Sequence, residues 1–278
     1  MFAKKIGSNA WKVFIFLLFA VYAFAIIYPL SWMIISSLKT NTEFFTSPWG
    51  LPAQPQWHHY YEAVKYGVAA YFFNSVFITL ASVLFSVLFS SMASYIITRF
   101  DFKLKNAAFL FILGGLMISP EVTLVSLFKL EQSLHVYNTH WALIIPYTVF
   151  RIPFTTFLIR SYMLSLPKAV EESAYIDGCS TFKVFSRIVM PICKPIIASA
   201  ALLTAMTSWN EFMFALVFVE SEKYKTIPIG LMNLKGQFGT NYPRLMAALV
   251  VSASVMIILF LCFQKQFVRG LTAGSVKG

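Results

Sequence analysis

Four polar side chains stand in stretches that are otherwise apolar: Asn74, Arg151, Asn210 and Glu211. An ionisable group in hydrocarbon is costly, so such residues face a bundle interior or a wet path and mark transport routes or internal pairs. Amide, carboxylate and guanidinium groups together supply the donors and acceptors that hydroxyl-rich solutes require. Asn210 and Glu211 are therefore candidates to contact substrate hydroxyls or a partner subunit; the alternative is a structural hydrogen bond inside the bundle. Arg151 either pairs with Glu211 or snorkels to an interface. Asn74 either caps the helix it opens or lines an outer mouth.

Other chemistries lack their spacing. The chain has no H-E-x-x-H, no G-x-S-x-G and no paired intramembrane Asp, so no catalytic residue is assigned. It has no G-x-x-x-x-G-K-[ST] loop, so it holds no nucleotide, and energy for any pumping must come from a partner. His58 and His59 are adjacent rather than four apart, and His135 and His140 belong to another loop, which argues against a metal site. Cys179, Cys193 and Cys262 form no C-x-x-C pair and read as reduced thiols.

These residues must be positioned by elements that suit a bilayer. Charged residues make up 12% of the chain, about half the roughly 25% of a soluble domain. The chain also has 29 Phe, more than one soluble core of this size can cover, so a soluble fold would expose large apolar patches. Disorder is excluded by the same aromatic wealth. The net charge of +11 is spread between apolar runs instead of forming one basic face, which argues against nucleic acid and for positive-inside bias.

A membrane helix needs about 20 largely apolar residues. Six spans are predicted, at about 13–36, 71–97, 106–128, 141–159, 195–219 and 245–264. The third is interrupted by Pro120 and Glu121, and the fourth contains Pro146, Arg151 and Pro153. The first run, Val13 to Leu38, is charge-free and longer than the roughly 7–15 residues of a signal core, so it is expected to stay as a span. With residues 1–12 placed in the cytoplasm, the inside segments carry twice the Lys and Arg of the outside loops. Both termini, including a tail at 268–278, are then cytoplasmic. The expected architecture is all-α, a polytopic bundle at 13–267.

One inside loop, 164–194, is long and mostly polar. Lys168 to Ile176 has helical composition, Gly178 can take the left-handed conformation that ends a helix, and Ser180 or Thr181 can cap a second one. Phe182, Phe185 and Ile188 form an apolar stripe at helical spacing, and Pro191 and Pro195 end the segment. Two short helices joined by a glycine bend are predicted at the cytoplasmic surface. Chemically this could be an amphipathic loop resting on headgroups or a docking element.

Glu172-Ser173-Ala174, three residues, Gly178, nine residues, and Ile188-Val189-Met190-Pro191 resemble the EAA motif of ABC importer permeases, E-A-A-x3-G-x9-I-x-L-P. The departures, Ser173 for Ala and Met190 for Leu, conserve size. The likeness extends along nearly the whole chain. It takes in Asn74-Ser75, Ala93-Ser94-Tyr95 leading to Arg99-Phe100, Ile176-Asp177-Gly178, Trp209-Asn210-Glu211-Phe212, Thr226-Ile227-Pro228-Ile229-Gly230-Leu231 and the ending Phe267 to Gly278. The chain is most similar to the six-span, maltose-type permeases of carbohydrate importers.

That resemblance implies a coupling helix that docks in a cytoplasmic ATPase. Glu172 would be the charged contact, Ser173 and Ala174 the close-packing face, Gly178 the bend with Asp177 beside it, and Ile188, Met190 and Pro191 the seat of the second helix. It implies a second permease subunit, two ATPase subunits that use ATP and Mg, an extracytoplasmic solute-binding protein, a carbohydrate substrate and a bacterial inner or plasma membrane. No cofactor is implied for this chain. The loop 220–244 would reach the binding protein, with Gly230, Gly236 and Gly239 lending it mobility. Alternatives are a permease of the same class for glycerol phosphate or another solute, or an ion-coupled secondary carrier, which would usually show an inverted repeat that is not evident here.

Overall fold

The computed structural model describes the backbone of residues 2–65, 69–237 and 241–273 and the side chains of residues 11–65, 69–232 and 241–265. All regular structure among them is helical. In chain order the helices are α1 Phe2–Ser37, α2 Asn41–Thr46, α3 His58–Ala63, α4 Ala69–Arg99, α5 Lys105–Gly114, α6 Pro120–Ser133, α7 Trp141–Ser165 and α8 Ala169–Ile176. They continue with α9 Thr181–Val184, α10 Met190–Ile192, α11 Lys194–Asn210, α12 Met213–Phe218, α13 Ile227–Gln237 and α14 Tyr242–Ala273. A π-helical turn, Phe185–Val189, joins α9 to α10. Four helices are long and apolar enough to cross a membrane, or up to six if each of two bent pairs is one span. The chain is a multi-pass, all-α membrane protein.

The chain divides into two compact units: Met1–Val68 with Leu231–Ala253, and Ala69–Gly230 with Ser254–Gly278. In the first, α1 is exposed from Trp11 to Leu30, which suits lipid rather than water. At and just past its end, Ser36, Ser37 and Lys39 are buried. The Lys39 ammonium donates to the Ser47 and Pro48 carbonyls at 2.9 and 2.8 Å, a cationic stop for α2. Burial pulls that ammonium below its usual range. Thr40 and Glu43 form a capping box that starts α2. His59 Nδ1 lies 3.0 Å from the Ser37 carbonyl, so Nδ1 carries the proton. Arg244 pairs with Glu62 at 2.6 Å. The segment after the first span is therefore a folded cap built on side-chain hydrogen bonds.

In the second unit α4 packs along α7. α4 carries a buried stripe of Ser75, Thr79, Ser82, Ser86, Ser90, Ser94 and Thr98, spaced three and four apart, of which Ser90 and Ser94 meet α7. Small residues at this spacing let helices approach where lipid offers no hydrophobic drive. Ser90 Oγ donates to the Ile152 carbonyl at 3.2 Å and Ser94 Oγ to the Thr156 carbonyl at 3.0 Å. A Cβ at Gly115 would lie 2.7 Å from Pro153 Cγ, so the α5 end also approaches α7 closely.

Two expected spans depart from continuous helices. The third, 106–128, breaks after α5 and turns by 99° into α6. Pro120 opens α6 at a position where its missing N–H costs nothing, while it cannot continue the helix before it. The fifth, 195–219, stops at Asn210, where Glu211 is extended at φ −68°, ψ 130°. The N-terminal segment 1–12 and the tail 268–278 lie almost wholly outside the residues whose side chains are described.

Candidate functional site: a polar cavity, a two-helix loop and a strap

Glu211 occupies the break between α11 and α12. One carboxylate oxygen accepts from Phe214 N at 2.8 Å; the other accepts from Tyr147 Oη at 2.6 Å and Ala215 N at 3.2 Å. The carboxylate thus satisfies amides at the start of α12, where a helix dipole favours negative charge. Beside it lies a cavity with about 640 Å³ of empty space, mouth included. Its walls include Glu121, Tyr147, Phe150, Arg151, Thr207, Ser208, Glu211 and Phe214.

Arg151 and Glu211 share this cavity but form no ion pair, because Glu211 is committed to Tyr147 and the α12 amides. Arg151 instead sits 5.4 Å from the Phe154 ring centroid, and its Nε is buried without a hydrogen-bond partner, as is Ser208 Oγ. Aromatic faces beside free donors and acceptors make a site that can stack on and hydrogen-bond a polyhydroxylated ring. Asn210 is not in the wall; it is exposed, and its amide donates to the Met206 carbonyl at 2.8 Å. Asn74 lies in the second turn of α4, not at its start, so it does not cap. Its amide donates to the Lys223 and Lys225 carbonyls at 2.8 and 2.9 Å, and its oxygen accepts from His140 Nε2 at 3.1 Å.

The loop 164–194 holds two short helices around a glycine bend. Gly178 has φ +79°. Cys179 N donates to the Ala174 carbonyl at 3.0 Å and Gly178 N to the Tyr175 carbonyl at 3.1 Å, the paired bonds of a Schellman ending. No atom lies within 4 Å of a Cβ built on Gly178, so the backbone conformation alone demands glycine.

The roles along this loop divide by helix face. Glu172, Ser173, Ile176 and Asp177 are exposed, with Ile176 86% so. Ala174 faces the other way, buried among Tyr95, Ile159, Met163 and Val184, so it packs on its own bundle and does not share an outward face with Ser173. Glu171, which sequence reasoning passed over, pairs with Arg99 at 2.6 Å, both side chains 8% exposed. Its neighbour Glu172 is about 100° further round the helix, and hence outside. The Phe182–Phe185–Ile188 stripe does not form as expected. Phe182 is 74% exposed, while Val184, Val189 and Cys193 point inward. The π-helical turn inserts a residue into the repeat and rotates the buried face. Ile188 and Met190 are half-buried, and Pro191 is exposed.

A strap, 219–230, is held by side chains rather than left loose. Asn138, at φ 56°, accepts from Glu220 N and Ser221 N through its side-chain oxygen at 3.1 and 2.9 Å. Ser75 Oγ accepts from Ile227 N at 2.9 Å, and Tyr71 Oη donates to Glu222 at 2.6 Å. A Cβ at Gly230 would drive into the Tyr71 ring, so this glycine serves close packing; Gly236 and Gly239 lie outside the residues whose side chains are described. Among the described residues no three His, Cys, Asp or Glu side chains are grouped to hold a metal ion.

The chain is 47% identical over 275 residues to the Probable ABC transporter permease protein YurM of Bacillus subtilis, covering 98% of this chain and 90% of that one. It is 38% identical over 267 residues to the arabinooligosaccharides transport system permease protein AraQ of Halalkalibacterium halodurans, covering 94% of each. Its fold matches a chain in the crystal structure of a bacterial ABC transporter involved in the import of the acidic polysaccharide alginate. That match has a TM-score of 0.79 at 19% identity and covers 93% of this chain and 97% of the other. The family model that matches residues 1–273 is that of the binding-protein-dependent transport system inner membrane component, and the chain belongs to that family.

Proposed function

We propose that this chain is one of two permease subunits of an ABC importer that receives a sugar or oligosaccharide from an extracytoplasmic solute-binding protein and passes it inward by alternating access. The chain is a transport subunit, not an enzyme. The subunit crosses the membrane six times at 13–267 with both termini in the cytoplasm. The bends in the third and fifth spans are then breaks within a crossing, of the kind that lines a path. Its partners are the second permease subunit and two ATPase subunits that bind ATP and Mg.

The observation that carries this reading is the loop 164–194. Its Schellman bend presents Glu172, Ile176, Asp177 and Phe182 outward, while Glu171, Ala174 and Val184 hold it to the bundle. An exposed charged and apolar face on a rigidly held helix suits docking into a groove of a motor subunit, and Gly178 sets the angle between its two arms. Ile188, Met190 and Pro191 lie on the arm that returns to the bundle.

The substrate class draws support from the relatives. One is named a permease for arabinooligosaccharides and another, 35% identical over 257 residues in Thermococcus litoralis, for trehalose and maltose. The cavity fits that class: Tyr147, Phe150 and Phe214 offer ring faces, and Arg151, Ser208 and Thr207 offer polar groups. Asn210 belongs to the same break and reaches the path when the bundle moves, whereas Asn74 acts on the outer strap.

The test is ATP hydrolysis by the reconstituted complex with its binding protein. That protein is loaded in turn with arabino-, malto- and galacto-oligosaccharides and with glycerol 3-phosphate. One of the oligosaccharides is expected to stimulate hydrolysis and the phosphate ester is not. Stimulation by glycerol phosphate alone would replace the carbohydrate reading.

A further inference from the structure

We propose that α4 is a rigid link that carries movement of the loop 164–194 to the outer strap 219–230. Arg99 and Glu171 at one end, and Asn74 and Ser75 at the other, are its positioning residues. The inference rests on the reading of 164–194 as the motor-facing loop.

The first ground is the helix itself. α4 runs 31 residues, about 46 Å, with neither Pro nor Gly. Its neighbours in the same unit are interrupted: α7 contains Pro146 and Pro153, α5 and α6 meet at 99°, and the 181–192 segment meets α11 at 77°. Helices bend sharply at such breaks, and α4 has none.

The second ground is what each end holds. Arg99 is in the last turn of α4 and Glu171 in the first turn of α8, each charge at the dipole end that favours it. They meet at 2.6 Å with 8% of each side chain exposed, and Arg99 also points an Nη2 toward the Leu166 carbonyl at 3.5 Å. A parallel hydrogen bond joins the Tyr95 and Tyr175 hydroxyls at 3.1 Å. A buried ion pair adds little net stability, but losing one partner strands a charge, so such pairs enforce one geometry. At the other end Asn74 holds the Lys223 and Lys225 carbonyls, Ser75 holds Ile227 N, and the Tyr71 ring seats Gly230. Displacement of α8 therefore has a continuous, packed route to the strap, the physical requirement for coupling between distant sites.

The test uses the full complex purified with its ATPase, trapped with ATP and vanadate, and followed by amide hydrogen exchange. In the wild type, trapping changes exchange at Glu220, Ser221 and Ile227. That response is lost in Arg99→Gln and in Glu171→Gln while the ATPase remains bound, and it is kept in Arg99→Lys, which retains the charge at the same helix end. Leu84→Gly with Leu88→Gly, at exposed positions on α4 away from both clamps, also abolishes it by softening the helix, while Leu84→Ala with Leu88→Ala preserves it. A wild-type strap indifferent to trapping overturns the proposal, as does a full response in Arg99→Gln, in Glu171→Gln or in the double-Gly variant. A wild-type complex that never retains an ATPase instead sinks the motor-facing reading, and the proposal with it.

Discussion

Gly178 takes its φ of +79° because α8 must end within one residue and send the chain back along its own base. A β-carbon there meets no neighbour, so the cost of replacement is the left-handed backbone alone, about 1–2 kcal/mol. Gly178→Leu is therefore expected to assemble in the membrane but to split ATP hydrolysis from uptake, since the arm angle relaxes. Uptake at the wild-type rate per ATP would remove the bend from the mechanism. His59 makes a second residue-scale case. Burial holds its imidazole below the usual histidine range, with the neighbouring His58 and Arg244 pushing the same way and the Ser37 carbonyl opposing them. Its neutral form is the folded form, so the stability it contributes is complete above the unfolded pKa of about 6.5 and drains as pH falls below that value. The folded cap at 37–62 should lose protection from hydrogen exchange, relative to the intrinsic rate at each pH, between pH 7 and 5 in the wild type and much less in His59→Asn.

At the scale of elements, Ser90 and Ser94, on the buried Ser and Thr stripe of α4, govern how near α7 can come. Ser94 is fully buried against the Thr156 carbonyl, so Ser94→Leu must push the helices apart and lose a hydrogen bond. Overpacking of this kind costs about 1–3 kcal/mol. Thermal unfolding in detergent should show a lowered Tm for Ser94→Leu and a near-normal one for Ser94→Ala; equal behaviour of the two would show that the interface is slack. The stripe is readable in the sequence, since 75, 79, 82, 86, 90, 94 and 98 follow helical spacing. Apolar-run counting passes over it because Ser and Thr scarcely lower the hydropathy of a span. The π-helical turn at Phe185–Val189 has no such signal: its residues suit an α-helix equally well, and the packing of Val184 and Val189 selects the wider turn.

For the molecule in its membrane, the decisive property is which side of the bilayer the loop 164–194 occupies. Ile176 is 86% exposed on α8 and so reports directly on solvent and on any docked subunit. In a background of Cys179→Ser and Cys262→Ser, Ile176→Cys should react with a membrane-impermeant maleimide in inside-out vesicles and not in intact cells. Bound ATPase should block the reaction. Labelling from outside the cell would overturn both the orientation and the docking role. The basic bias of the segments assigned to the inside is the physical basis of the proposed orientation, since Lys and Arg are retained on the cytoplasmic side.

Composition and periodicity alone determined that this chain is an all-α membrane protein, because no soluble fold can cover so much apolar surface. The spacing from Glu172 to Pro191 determined the glycine-bent helix pair, because only glycine takes a positive φ freely. Tertiary structure alone decided which member of the Glu171–Glu172 pair is buried, and it turned Ala174 inward. It committed Glu211 to Tyr147 and the α12 amides instead of Arg151, and it made Asn74 a tether for a strap some 150 residues away in sequence. The reason is general: helical spacing states which residues share a face, but the partner that face meets is a contact distant in the chain, and only the packed helices bring it within hydrogen-bonding reach.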